Sequence, residues 1–169
     1  HADSFGFSAH KWLYQPKGSA VCLFKNVSEA HEALSYGGGY LSAPNIGLLG
    51  TAPATAIPLC ATFLKYGLNG IIDLIENDMR RANELVALIE ANSDSFELFG
   101  SNICGVIVWR PKHICASVIR NSLKNGYVSI CEINGENWFR SVFSNPNANP
   151  KLLFYEILKV VHNLEKCEE

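Results

Sequence analysis

No window of this chain holds about eighteen uninterrupted apolar residues, so no membrane-spanning helix is expected. The opening His1-Ala-Asp-Ser-Phe-Gly-Phe lacks the basic-then-apolar layout of a secretory signal. Neither sign of charge is in excess. Fourteen Lys and Arg against 16 Asp and Glu give a formal net charge of −2, without the basic footprint of a nucleic-acid binder, and a small-molecule partner is expected instead. Methionine is scarce: Met79 is the single one, the chain begins at His1, and the sequence reads as a piece of something longer. Cys22, Cys60, Cys104, Cys115, Cys131 and Cys167 are never clustered and mostly lie in apolar runs such as Ala20-Val-Cys-Leu-Phe24. That pattern suits buried thiols in a reducing, cytoplasmic setting better than a disulfide framework or a zinc site.

What remains is ordinary globular material, 48% hydrophobic and 18% charged over 169 residues, enough for a real core. Residues 19–25 suit a buried strand, and Ser28 to Leu34 a turn or two of helix. Tyr36-Gly-Gly-Gly-Tyr40 through Gly47 is dense in turn residues and reads as a long loop. A helix is expected from Ala54 to Tyr66, kinked by Pro58 and ended by Gly67. Next comes an amphipathic helix with Ile71, Leu74, Met79, Ala82, Leu85 and Ile89 on one face and Asp73, Asn77, Arg80, Arg81 and Glu84 on the other, ending near Asn92. Strands are expected at Phe96 to Phe99, Ile103 to Trp109, Tyr127 to Ile133 and Trp138 to Phe143, with Trp109 and Trp138 in the sheet core. A helix over residues 112–124 should bury Ile114, Val118, Ile119 and Leu123, and a last helix should start at Asn149-Pro150. The division is a loop-rich part, 1–70, and an antiparallel α+β unit, 71–169, covered on one face.

The densest polar group is His1-Ala-Asp3-Ser4-Phe-Gly-Phe-Ser8-Ala-His10-Lys11-Trp12. A lysine among small and apolar residues, beside a histidine, is in a setting that desolvation and a neighbouring cation can make nucleophilic toward carbonyls. The bland alternative is a surface lysine, the usual fate of that residue. His31, His113 and His162 have no partners at ligand spacing and read as solvated or core-edge histidines.

Ala2-Asp3-Ser4 with His10-Lys11-Trp12 and Gly18-Ser19-Ala20 resembles the cofactor-lysine segment of group II pyridoxal-phosphate-dependent decarboxylases, a family acting on glutamate, aromatic amino acids, cysteine sulfinate and diaminobutyrate. The resemblance continues through Leu49-Gly50-Thr51, Tyr66-Gly67-Leu-Asn-Gly70 and Trp138-Phe-Arg140-Ser-Val-Phe143-Ser-Asn145-Pro146. It covers nearly the whole chain but only about the C-terminal third of such an enzyme. It implies an α/β fold of the fold-type I kind, with residues 1–70 the end of the cofactor-binding large domain and 71–169 the C-terminal small domain. It also implies a homodimer that forms an amine and carbon dioxide from an amino acid substrate through a Lys11 Schiff base to pyridoxal 5'-phosphate, with no metal, nucleic acid or membrane involved.

Carried over by residue, His10 would touch the cofactor phosphate, and Gly50 with Thr51 would reach the phosphate in the neighbouring subunit's site, a helix cap being the alternative for that pair. Tyr36 and Tyr40 lie where the family has a mobile catalytic loop whose tyrosine protonates the carbanion, with packing at an interface as their alternative use. The sequence departs from the family in two places. Ser8-Ala9 replaces the usual Asn-Pro or Asp-Ala before the His-Lys pair, so the polar contact there falls to Ser8. Ala52-Pro53 stands where several relatives have an arginine. The aspartate that pairs with the pyridinium nitrogen and the ring-stacking residue belong to upstream segments of the family, so this chain alone is expected to be inactive. A carbon–carbon lyase of the sphingosine-phosphate lyase type and a non-catalytic dimerisation or regulatory fragment are the rival readings.

Overall fold

The computed structural model describes residues 2–36, 45–46, 54–101, 104–123 and 128–166. They form two compact units, His1–Ile71 and Ile72–Glu169.

In the first unit β1 (Ser4–Ser8) leads directly into α1 (Ala9–Trp12), and the chain returns as β2 (Ala20–Phe24). The two strands pair antiparallel from Ser4↔Phe24 to Ser8↔Ala20. The sequence pattern predicts β2 but not β1. Its Ser-Phe-Gly-Phe-Ser alternation is a period-two signal in retrospect, and Phe5 and Phe7 share one face with their rings 5.9 Å apart. α2 (Val27–Leu34) starts at Asn26, whose side-chain oxygen accepts the amides of Ser28 and Glu29. β3 (Ser35–Tyr36) pairs with β4 (Asn45–Ile46), so the ends of the expected Tyr36–Gly47 loop are bound together as a ladder, while the three glycines lie outside the described residues. α3 (Ala56–Glu90) carries its one non-helical residue at Gly67, with φ 63° and ψ −178°. The expected kink at Pro58 is absent. Pro58 sits in the first turn, where a missing N–H costs no helical hydrogen bond.

The second unit is a four-stranded antiparallel sheet in the order β5 (Phe96–Leu98), β6 (Val106–Pro111), β8 (Glu136–Val142), β7 (Ser129–Ile133), accompanied by the second segment of α3, α4 (Ala116–Ser122) and α5 (Pro150–Glu165). Asn134 and Gly135, both at positive φ (54° and 79°), make the two-residue turn between β7 and β8. One sheet face carries Ile107, Trp109, Phe139 and Ser141, all buried, with Trp109 Nε1–H donating to Ser141 Oγ at 3.0 Å. Phe96, Trp109, Phe139 and Phe154 form the aromatic centre, with Trp109–Phe139 at 5.1 Å and Phe96–Phe154 at 5.2 Å. Burying each such side chain is worth about 1.5–3 kcal/mol. On the opposite face Arg110 lies 4.2 Å over the Trp138 ring and bonds Glu97 and Glu136, each at 2.6 Å.

Three expectations need correction here. Val118 is exposed, because α4 begins after Cys115 and its inward face is Ala116, Ile119 and Leu123. Arg81, expected among the solvated residues, is nearly buried and pairs with the buried Asp78 while donating to the Phe143 carbonyl. Cys22, Cys60, Cys104 and Cys115 are exposed and Cys131 half-buried, not core thiols. No helix among the described residues is long and apolar enough to cross a membrane.

Candidate active site

α1 is a single helical turn with no side-chain cap, too short to hold itself. It is held from outside. The Ala9 amide donates to the Ser19 carbonyl at 3.0 Å, and the Ala9 carbonyl accepts the Gln15 amide at 3.2 Å. Ala9 itself is fully buried, so the turn is anchored on the side facing β2. His10 and Lys11 therefore sit at a fixed point, immediately beyond the end of the β1–β2 ladder.

The same Ser19 carbonyl lies 3.3 Å from His10 Nδ1. A carbonyl only accepts, so Nδ1 carries the hydrogen and Nε2 is the imidazole position left for another group. Lys11 is exposed and makes no ion pair with a described residue. Within this unit the desolvation expected from its small-residue setting is not found, because neighbours in sequence do not cover the side chain. Ser8 is half-buried at the last β1 position, paired through its backbone with Ala20.

Sharing Ser19 with His10 is a cavity of about 200 Å³ lined by Pro16, Lys17, Ser19, Ala54, Thr55 and Pro58, at the start of α3. A wider open groove of about 800 Å³, lined by Asp3, Ser4, Lys25, Asn26 and α2 residues, lies at the far end of the hairpin from Lys11. Ser8, His10 and Lys11 thus follow one another from the last position of β1 into α1. Tyr36 is described through its backbone only, as the end of β3, and Tyr40, Gly50 and Thr51 lie outside the described residues. His31, His113 and His162 are exposed, and no group of three or more metal-ligating side chains occurs among the described residues.

Sequence reasoning missed Gln15. It is 7% exposed and spends both amide protons, on the Leu13 carbonyl at 2.6 Å and on Thr62 Oγ1 at 2.8 Å. Its only sequence signal is a lone polar residue between Tyr14 and Pro16. Tyr14 has φ of 54°, left-handed backbone that is uncommon for a bulky residue.

What the turn offers chemically is a primary amine on a pinned backbone and, on the preceding residue, an imidazole whose Nε2 is uncommitted. This set fits pyridoxal 5'-phosphate, whose aldehyde needs an amine and whose phosphate needs a donor, which His10 offers at Nε2 when the imidazole is protonated.

No family model matches the chain. The probable sphingosine-1-phosphate lyase of Legionella pneumophila is 26% identical to it over 174 residues, 96% of this chain and 26% of that protein. The crystal structure of Oryza sativa TDC with PLP and tryptamine superposes with a TM-score of 0.77 at 16% identity, over 96% of this chain and 39% of that one. Catharanthus roseus tryptophan decarboxylase in complex with L-tryptophan gives a TM-score of 0.73 at 18% identity, over 96% and 39%. The fold is the α/β fold of fold-type I PLP-dependent enzymes, represented in part. The chain spans well under half the length of the proteins it resembles.

Proposed function

We propose that this chain is part of a pyridoxal-phosphate-dependent amino acid decarboxylase in which Lys11 holds the cofactor as a Schiff base and an amino acid is converted to an amine and carbon dioxide. The observation that carries the reading is the pinned His10-Lys11 turn, an exposed primary amine at the end of a hairpin, on backbone held by the Ala9 bonds to Ser19 and Gln15. When bound, the cofactor supplies an electron sink for the pair released as the α-carboxylate departs. Lys11 Nζ, in its unprotonated form, is the nucleophile toward the aldehyde carbon. His10, committed through Nδ1–H to Ser19, would meet the phosphate by donating Nε2–H in its protonated form, and Ser8 supplies the neighbouring polar contact. Tyr36 or Tyr40 delivers the proton to the carbon that lost carbon dioxide, and Gly50-Thr51 reaches the phosphate in the partner subunit of a cytoplasmic homodimer. Residues 1–70 act as the end of the cofactor-binding domain and 71–169 as the small domain. The chain by itself lacks the family's remaining cofactor-holding groups and is inactive alone.

The resemblance to the Legionella lyase favours a second reading, cleavage of a carbon–carbon bond to release an aldehyde. Product analysis on the full protein separates them. Incubation with amino acids should yield carbon dioxide and the matching amine, with turnover reduced at least about thousandfold by Lys11→Ala. Release of an aldehyde from a phosphorylated amino alcohol without carbon dioxide would replace the decarboxylase reading with the lyase one. Turnover unaffected by Lys11→Ala would end both.

A further inference from the structure

We propose that Gln15, acting through Thr62, is a positioning residue that holds the Lys11 turn against the first segment of α3; this rests on Lys11 being the Schiff-base lysine.

The one-turn α1 has no cap of its own, and the residues that follow it take a path that helix propensity alone does not maintain. Leu13 closes a tight turn onto the Lys11 carbonyl, Tyr14 donates to the same carbonyl at 3.3 Å, and Tyr14 stands in left-handed backbone. Such a path persists when the surroundings over-determine it. Gln15 supplies that determination. Its backbone amide returns to Ala9, and its side chain clamps the Leu13 carbonyl from one proton and Thr62 Oγ1 from the other. Thr62 passes its own hydrogen to the Pro58 carbonyl at 2.9 Å, so the Thr62 oxygen is free to accept from Gln15 and is oriented to do so.

The chain of donors runs one way, from Gln15 through Thr62 into the first turn of α3. Replacing Thr62 by a residue without a hydroxyl leaves one proton of the buried Gln15 amide unmet, a cost larger than the net value of the bond itself. Its effect reaches Lys11 because Gln15 lies only four positions after it and holds the Ala9 and Leu13 carbonyls on either side of it. An amine that must meet a carbonyl carbon within a fraction of an ångström is sensitive to such loosening.

The test uses the full protein loaded with pyridoxal phosphate, in four forms: unchanged, Thr62→Val, Thr62→Ser and Gln15→Met. Three properties are measured: the pH midpoint at which the visible Schiff-base band titrates, the rate at which the linkage re-forms after displacement, and the melting temperature. Borohydride-reduced peptides are mapped in parallel. Thr62→Val and Gln15→Met should slow re-formation about tenfold and shift the midpoint in the same direction, and Thr62→Ser should restore both to within about twofold. A lowered melting temperature with wild-type midpoint and rate, Lys11 still labelled, would make the bridge merely structural and overturn the inference while leaving the function intact. Absence of label on Lys11 in the unchanged protein would overturn the function and this inference together.

Discussion

The thiol of Cys115 is held below its ordinary pKa, first by the Ser117 hydroxyl 3.1 Å away, then by the Ser117 amide, the Asn137 side chain and the Val118 amide, with slight burial opposing them. A lowered pKa enlarges the thiolate fraction at neutral pH, and the thiolate is the form that reacts. Under limiting iodoacetamide at neutral pH, Cys115 is therefore expected to alkylate ahead of Cys22, Cys60 and Cys104, and Asn137→Ala should narrow that lead. Peptide mass mapping over time checks it; equal rates at all four exposed thiols would contradict the assignment. The sequence misleads at these positions for a simple reason. An apolar neighbourhood along the chain does not say which way a side chain points or whether anything covers it. Cys22 lies in an apolar strand, yet Leu23 beside it is 56% exposed, because among the described residues its sheet has only two strands. Lys11 fails the same inference in the same way. Its recognisable context is contiguous and therefore legible, whereas its exposure is not.

Among the elements, those with a local cause were legible. The Asn134-Gly135 turn needs positive φ twice, and Asn149-Pro150 caps α5, with Asn149 Oδ1 accepting the Leu152 amide at 3.0 Å. Gly67 is the clearest case, since φ 63° with ψ near 180° is open essentially to glycine alone. A Cβ there would meet nothing within 4 Å, so the penalty is purely one of backbone. Gly67→Ala is expected to destabilise the chain by about 1–3 kcal/mol despite the empty space around it. Denaturant unfolding of the two forms measures this, and an unchanged midpoint would mean that the helical segments rearrange without cost. The register of α4 escaped sequence reasoning because its start at Ala116 rather than residue 112 turns Val118 outward. The Gln15–Thr62 bridge escaped it because those residues are 47 positions apart and neither belongs to a motif.

At the scale of the molecule, the two units differ in how they are held. Among the described residues, Ala9, Leu13 and Ile71 are the buried apolar side chains of the first unit, whereas the second has one continuous core from Ala82 to Val161. The α+β character of the second unit was readable because its strands and helices satisfy one another within a short stretch of chain. The first unit keeps its order through backbone hydrogen bonds and a few polar bridges, with Phe5, Leu23, Ile57, Leu64 and Leu68 exposed. It is also the unit that carries the proposed chemistry. On a pinned turn of this lightly cored unit, Lys11 is the residue proposed to be joined to pyridoxal phosphate. Borohydride reduction of the full protein with its cofactor, followed by peptide mass mapping, tests that claim most directly. A pyridoxyl group is expected on the peptide containing His10-Lys11-Trp12, at Lys11 alone; label on any other lysine, or on none, would contradict this assignment.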